Sequence, residues 1–135
     1  MNQFLTVAQE AAHQAGALLR DNWLKPKTIE VKTDIVDLVT NVDKATDALI
    51  TNILRVHFPT HKIIAEESAV SGQESPYRWY IDPLDGTTNF AHTFPHCAVS
   101  IALAYEARMI VGVVYDPLVT ESFPLTTSSS GLVLP

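Results

Sequence analysis

The sequence is poor in cysteine, in basic residues and in long apolar runs. Cys97 is the single cysteine, so no internal disulfide can form. A buried thiol in the apolar run 97–101 suits a reducing cytoplasm, which is the compartment we expect. Lys and Arg number 9 against 15 Asp and Glu, giving a net charge of −6 without a basic cluster. That balance disfavours nucleic acid and anionic membranes as partners.

Apolar runs are also too short for a membrane span, and no secretory signal is evident at the N-terminus. The composition, with 47% hydrophobic and 18% charged residues, is typical of a globular chain and not of a disordered one. Apolar periodicity predicts a helix over about 2–23 and a second helix that runs from the segment at 37–43 to about Phe58. Strands are predicted over 28–32, 62–68, 79–82, 96–105 and 109–115, with a third meander strand at 121–123.

The most informative stretch is WYIDPLDGTTNF, residues 79–90. An apolar run ends at Asp82, and Pro83 is expected to stop the strand there because proline cannot donate to a ladder. Asp82, the Leu84 carbonyl, Asp85 and the Thr87 hydroxyl would then surround one point. All of these are oxygen ligands of the kind that Mg²⁺ requires. An ordinary acidic turn that caps a helix explains the same residues, and spacing alone leaves both interpretations open.

Acids from two other segments fall near predicted element ends. Asp43 lies in the first turn of the second helix, where a carboxylate favours the helix dipole. Glu66 and Glu67 follow a predicted buried strand, and ligands gather beyond strand ends in open α/β sheets. His92 and His96 lack a third nitrogen or sulfur ligand, so they are taken as structural or substrate-side polar residues.

Domain organisation follows from a change of composition near the C-terminus. Residues 1–123 are expected to form one folded unit. Residues 124–135 include a hydroxyl-rich run and are expected to form a divergent, disordered tail.

Three motifs together resemble the inositol monophosphatase family in order and spacing: DLVTNVD (37–43), AEES (65–68) and DPLDGTTNF (82–90). The resemblance covers the N-terminal half of a family member. It implies a layered α/β sandwich of the inositol monophosphatase and sugar phosphatase type. It also implies Mg²⁺-dependent hydrolysis of a phosphate monoester, with inositol monophosphate or a similar small phosphorylated polyol as substrate.

The resemblance assigns roles to individual residues of this chain. Glu66, Asp82 and the Leu84 carbonyl would hold a first Mg²⁺, and Asp82 with Asp85 a second. Asp43 and Thr87 would orient the attacking water and help to deprotonate it, and Glu66 would hold that water through its metal. Gly86 and Thr87 would bind phosphate oxygens, with Asp85 beside the substrate.

Departures from the family pattern keep other interpretations open. Ala65 replaces a usual glycine, and the Trp-Asp motif of the family's second half is missing, so the chain is expected to be truncated and inactive alone. Alternatives are a nucleotide or sugar bisphosphate phosphatase of the same superfamily, and a non-catalytic fragment that self-associates. A homodimer is a further option. A haloacid dehalogenase-like phosphatase fits less well, because two residues instead of one separate Asp82 from Asp85.

Overall fold

The computed structural model describes residues 2–24, 29–31, 38–65, 72–85, 97–118, 121–128 and 131–133. Two helices are present in these ranges, α1 (Asn2–Asn22) and α2 (Asn41–His57). The eight strands are β1 (Ile29–Val31), β2 (Leu38–Thr40), β3 (Lys62–Ala65), β4 (Tyr77–Asp85), β5 (Ala98–Tyr105), β6 (Arg108–Asp116), β7 (Glu121–Ser128) and β8 (Gly131–Val133). None of the described helices is long and apolar enough to cross a membrane.

The strands form one large sheet and one small one. The large sheet has the order β3-β4-β5-β6-β7-β8, and β1 pairs with β2 separately. β3 runs parallel to β4, and each later strand is antiparallel to its neighbour. The sheet is therefore an antiparallel meander with one parallel strand added at its edge.

Helix α1 presents a row of small residues to the core. Ala8, Ala11, Ala12 and Ala15 are fully buried, as the helical spacing predicts. Gly16 continues this row, and a Cβ at Gly16 would lie 2.2 Å from a ring carbon of Tyr115 in β6. The missing side chain therefore allows α1 to pack directly on the sheet.

Both helices lie on the same face of the large sheet. Residues of β4, β5 and β6 that point to this face are buried, including Trp79, Ile101 and Val113. Arg20 of α1 donates a 2.8 Å hydrogen bond to the Tyr115 hydroxyl, which fixes α1 over β6. The core thus forms between one helical layer and one face of the sheet, and alternate strand residues point away from it.

The β5–β6 hairpin turns through two non-glycine residues in the left-handed region. Glu106 has φ of 49° and Ala107 has φ of 66°. A two-residue hairpin turn of type I′ requires positive φ at both positions, and its twist matches that of the flanking strands. The sequence correctly predicts a turn at 106–108, but an alanine is strained at this position.

Three element bounds differ from the sequence-based expectations. β4 does not stop at Asp82 and continues through Pro83 to Asp85. α2 begins at Asn41, and the preceding segment 38–40 is strand β2. Residues 124–128 and 131–133 were expected to belong to a disordered tail. They instead belong to β7, which pairs with β6, and to β8, which pairs with β7, so backbone pairing orders them despite their weak composition signal.

Candidate functional site

The C-terminal end of β4 contains a β-bulge at Pro83. Asp82 pairs with Ser100, and Asp85 pairs with Ala98, so three steps along β4 match two along β5. Proline has no N–H for the ladder, and a bulge accommodates the lost bond while the strand continues. Strand side chains alternate between faces, so Ser100 and Ala98 share one face. The bulge therefore brings the register positions of Asp82 and Asp85 to that same face.

Helix α2 runs antiparallel to β4 and brings Asp43 toward this bulge. Phe58, just beyond the C-terminal end of α2, stacks on Trp79 near the start of β4 with a centroid distance of 5.6 Å. α2 has 17 residues, or about 25 Å at 1.5 Å per residue, and Trp79 to Asp85 spans about 20 Å. The helix packs on β4, so its first turn, with Asp43, lies toward the Asp82 end.

Two carboxylates of α2 are buried, and sequence analysis gave a role to only one of them. Asp43 is 1% exposed and Asp47, one helical turn later, is also 1% exposed. Asp47 accepts a 3.3 Å hydrogen bond from the Thr51 hydroxyl. Ala45, between these two acids in sequence, is exposed. The buried face is rotated toward the two acids, and their i, i+4 spacing was the signal that could have revealed Asp47.

The remaining predicted site residues fall outside what the structure describes. Glu66, Gly86 and Thr87 lie in undescribed segments, as do His92 and His96. Asp85 is described only as a backbone position of β4. Leu84 is buried, at 3% exposure, while Asp82 is partly exposed. Within the described ranges, no group of three His, Cys, Asp or Glu side chains is arranged to hold a metal ion.

A hollow of about 300 Å³ opens beside Asp82. It lies between β3, β4 and β5, and its walls are Ile64, Ala65, Tyr80, Ile81, Asp82, Ser100 and Ala102. Asp82 is the only carboxylate among these wall residues. β3 ends at Ala65, whose partner Ile81 immediately precedes Asp82. Ala65, which directly precedes Glu66 in the sequence, therefore lies beside the start of the β4 bulge.

The opposite end of β4 is an aromatic cluster without ligand-binding character. His61 is sandwiched between Phe58 and Tyr77, with centroid distances of 5.0 Å and 4.5 Å. The indole N–H of Trp79 donates to His61 Nδ1 at 3.0 Å, so His61 carries its proton on Nε2. Burial lowers the pKa of His61, which favours this neutral form. The cluster anchors the start of β4, away from Asp82.

Cys97 behaves as the sequence predicted. It is 6% exposed and belongs to the hydrophobic core. Burial raises the pKa of its thiol to about 11, and the nearby negative charge of Asp116 adds to this effect. Because the thiolate is the reactive form of cysteine, this residue is not a nucleophile at neutral pH.

The amino-acid sequence is similar to inositol monophosphatases and to SuhB proteins. The family description "Inositol monophosphatase family" matches residues 1–131. Inositol monophosphatase 2 of Solanum lycopersicum is 50% identical over 129 residues, covering 91% of this chain and 48% of the relative. Nus factor SuhB of Escherichia coli K12 is 45% identical over 128 residues, covering 93% of this chain and 48% of the relative. The chain thus spans about half the length of these relatives.

Solved structures show the same fold. The suhB protein of Bartonella henselae aligns with a TM-score of 0.91 at 33% identity, covering 98% of this chain and 52% of that one. An IMPase/NADP phosphatase complexed with Mg²⁺ and phosphate aligns with a TM-score of 0.75 at 28% identity, covering 90% and 46%. The predicted layered α/β fold of the inositol monophosphatase type is therefore confirmed. With a family match over residues 1–131, this chain belongs to the inositol monophosphatase family.

Proposed function

We propose that this chain supplies the main magnesium-binding segment of a phosphatase. The reaction is hydrolysis of a phosphate monoester by a metal-activated water, and the substrate is inositol monophosphate or a similar small phosphorylated polyol. The observation that carries the proposal is the bulge at Pro83, which brings the backbone positions of Asp82 and Asp85 to one face of the sheet. Two carboxylate-bearing positions at one strand end provide the oxygen ligands that a hard divalent cation requires.

The donor types fit magnesium and not a softer metal. Asp82, Asp85, Glu66 and the Leu84 carbonyl offer only oxygen, and Cys97 is buried with a raised thiol pKa. In the proposed site Glu66, Asp82 and the Leu84 carbonyl would hold one Mg²⁺, and Asp82 and Asp85 would hold another. When bound, the cations neutralise phosphate charge and lower the pKa of a bound water. The similar structure complexed with Mg²⁺ and phosphate supports this choice of cation.

The protein's own residues then handle the water and the phosphate. Asp43 is buried at the first turn of α2, where low exposure restricts its rotamers and keeps its carboxylate in a fixed direction. With Thr87, it would orient the attacking water and help to deprotonate it, and Glu66 would help to hold that water through the cation it binds. The N–H groups of Gly86 and Thr87 donate to phosphate oxygens, and Asp85 lies beside the substrate.

Magnesium binding is the sharpest test, because it does not require a complete substrate pocket. Isothermal titration of the chain with Mg²⁺ should show binding that Asp82→Asn weakens by at least about tenfold, since one charged ligand is lost. Asp21→Asn, which removes an exposed carboxylate near the end of α1, is the matched control and should leave affinity unchanged. Equal affinity in both variants and the parent would refute the assignment.

Activity and substrate are tested separately. Phosphate release from inositol 1-phosphate, from a sugar bisphosphate and from a nucleotide bisphosphate should be measured with and without Mg²⁺. Inositol 1-phosphate is expected to be preferred once the chain is paired with the remaining half of a family member. A clear preference for either bisphosphate would contradict the proposed substrate. It would instead favour a nucleotide or sugar bisphosphate phosphatase of the same superfamily.

A second candidate follows from the relatives named Nus factor SuhB. Their name refers to a factor role rather than to phosphate hydrolysis, and they are 45–46% identical to this chain. The net charge of −6 disfavours direct contact with nucleic acid, so such a role would act through protein contacts. The test uses a strain whose growth depends on this chain. If Asp82→Asn abolishes phosphatase activity but still supports growth of that strain, the result would favour this candidate.

A further inference from the structure

Strand β3 is short and lies at one edge of the described sheet. It has four residues and pairs in parallel with β4. The hydrogen bonds of a parallel ladder are evenly spaced, so they do not by themselves select one register. The register matters for the candidate site, because β3 ends at Ala65, directly before Glu66 in the sequence. Ala65 pairs with Ile81, directly before Asp82, so a shift of β3 would move Ala65 away from this candidate ligand.

Burial of alternate residues limits which shifts of β3 are possible. Ile63 and Ala65 belong to the core, while Lys62 and Ile64 are on the other face of the strand. A shift by one residue would exchange these two faces and is therefore opposed by burial. A shift by two residues would keep each side chain on its face, yet it would move Ala65 by about 7 Å along β4. Other contacts are therefore needed to exclude the two-residue shift.

On the core side, His61 fixes the start of β3 against β4. His61 lies two residues before Ile63, and its Nδ1 accepts the 3.0 Å hydrogen bond from the indole of Trp79, which is the register partner of Ile63. Its ring also stacks on Tyr77 of β4 at a centroid distance of 4.5 Å. The chain that returns toward β4 passes close to the same residue, because a Cβ at Gly72 would lie 2.5 Å from the His61 carbonyl oxygen. A two-residue shift would break both side-chain contacts.

On the other face, two ion pairs specify the same register. Lys62 and Arg78 are register partners, so two cations lie side by side on neighbouring strands. Glu74, three residues before β4, forms one ion pair with Lys62 and a second with Arg78, the latter at 3.2 Å. A two-residue shift would carry Lys62 about 7 Å along β4, so one carboxylate could no longer bridge both cations. Glu74 is exposed, so its ion pairs contribute more to the choice of register than to overall stability.

We propose that His61 and Glu74 are positioning residues for the candidate magnesium site and act through the register of β3 on β4. By excluding the two-residue shift, they keep the end of β3, and with it Glu66, beside Asp82. They act from a distance, since Asp82 is three residues beyond Trp79, or about 10 Å along β4. The inference rests on the proposed function, because it takes Glu66 and Asp82 as ligands of one Mg²⁺.

Two sets of substitutions remove the contacts that select the register. His61→Phe/Trp79→Phe removes the hydrogen bond, retains the ring stacking and leaves no buried indole N–H unpaired. Glu74→Gln removes the bridging charge and keeps the size of the side chain. A combined variant carries all three substitutions. His57→Gln and Glu10→Gln are the matched controls, because both residues are exposed on the helices.

Magnesium affinity and register are measured separately. Isothermal titration with Mg²⁺ uses variants that circular dichroism shows to be folded, and backbone NOEs between Ile64 and Tyr80, which are register partners, report the register without metal. The combined variant is expected to lose these NOEs and to bind Mg²⁺ at least about tenfold more weakly, as the loss of one charged ligand does. Glu74→Gln, at an exposed position where folding is not at risk, should weaken binding about threefold. Both controls should keep the parent values.

Asp82→Asn separates the failure of this inference from the failure of the proposed function. If Asp82→Asn weakens Mg²⁺ binding while Glu74→Gln and the combined variant keep the parent affinity, the positioning role is overturned and the proposed function stands. Weakened binding with the NOEs between Ile64 and Tyr80 intact would also overturn it, because the register would then not be the cause. Unchanged affinity in Asp82→Asn would refute the proposed function and the positioning role together.

Discussion

Protonation of His61 should destabilise the fold in mild acid. His61 is 8% exposed, lies between two aromatic rings and accepts the Trp79 indole hydrogen bond on Nδ1. A proton on Nδ1 would abolish that hydrogen bond and place a charge in an apolar cluster. Burial lowers the folded-state pKa below the ordinary value of 6.5. Below that value the unfolded chain binds the proton and the folded chain does not, so stability falls as pH falls.

The size of the effect follows from proton linkage. Each unit by which the folded-state pKa lies below the unfolded value corresponds to about 1.4 kcal/mol of unfolding free energy that is lost as the pH falls through that interval. For a chain of this length, a loss of about 1 kcal/mol corresponds to a fall in Tm of roughly 3–5 °C. The hydrogen bond itself contributes about 1 kcal/mol at neutral pH. The effect is therefore a measurable fraction of a typical domain stability of about 5–15 kcal/mol.

Urea unfolding followed by tryptophan fluorescence at several pH values measures this slope. The double variant His61→Phe/Trp79→Phe retains the ring stacking, removes the titrating group and leaves no unpaired indole. Because it lacks the Trp79 fluorophore, its unfolding is followed by circular dichroism. Its unfolding free energy should vary less between about pH 7 and about pH 5.5 than that of the parent. His57→Gln removes an exposed histidine at the end of α2 and should keep the parent slope. An unchanged slope in the double variant would refute the reasoning.

Three further predictions concern packing, backbone strain and thiol reactivity. Gly16→Ala should lower the unfolding free energy by about 1–3 kcal/mol in a urea titration, because the new methyl group would overlap the Tyr115 ring; stability equal to the parent would show that α1 can shift freely. Ala107→Gly should raise the unfolding free energy by up to about 1 kcal/mol, since φ of 66° strains alanine. A lower unfolding free energy in this variant would contradict that reasoning. Cys97 should react slowly with iodoacetamide at pH 8 and rapidly after unfolding in urea, because burial raises its thiol pKa to about 11; fast native-state labelling would show that the core opens.

The sequence by itself determined the helices, the main strands and the family. Apolar spacing predicted α1 with its buried alanines, and long β-branched runs predicted β5 and β6. These elements were predictable because each buries one face, and burial requires a periodic pattern that is visible locally. The buried state of Cys97 followed from the same local pattern. The acids at 43, 82 and 85 were recognisable from motif spacing, and their roles as magnesium-site residues remain a proposal.

Tertiary structure alone decided the features that depend on pairing between distant segments. Pro83 predicts a strand end when only its missing N–H is considered, but the ladder with β5 carries β4 past it through a bulge. Residues 124–128 and 131–133 lack a strong strand pattern, and the pairing of β7 with β6 and of β8 with β7 makes them strand. Asp47 is buried because the packing angle of α2 on β4 turns that face inward. In each case the deciding energy comes from contacts between residues far apart in sequence, which no local pattern contains.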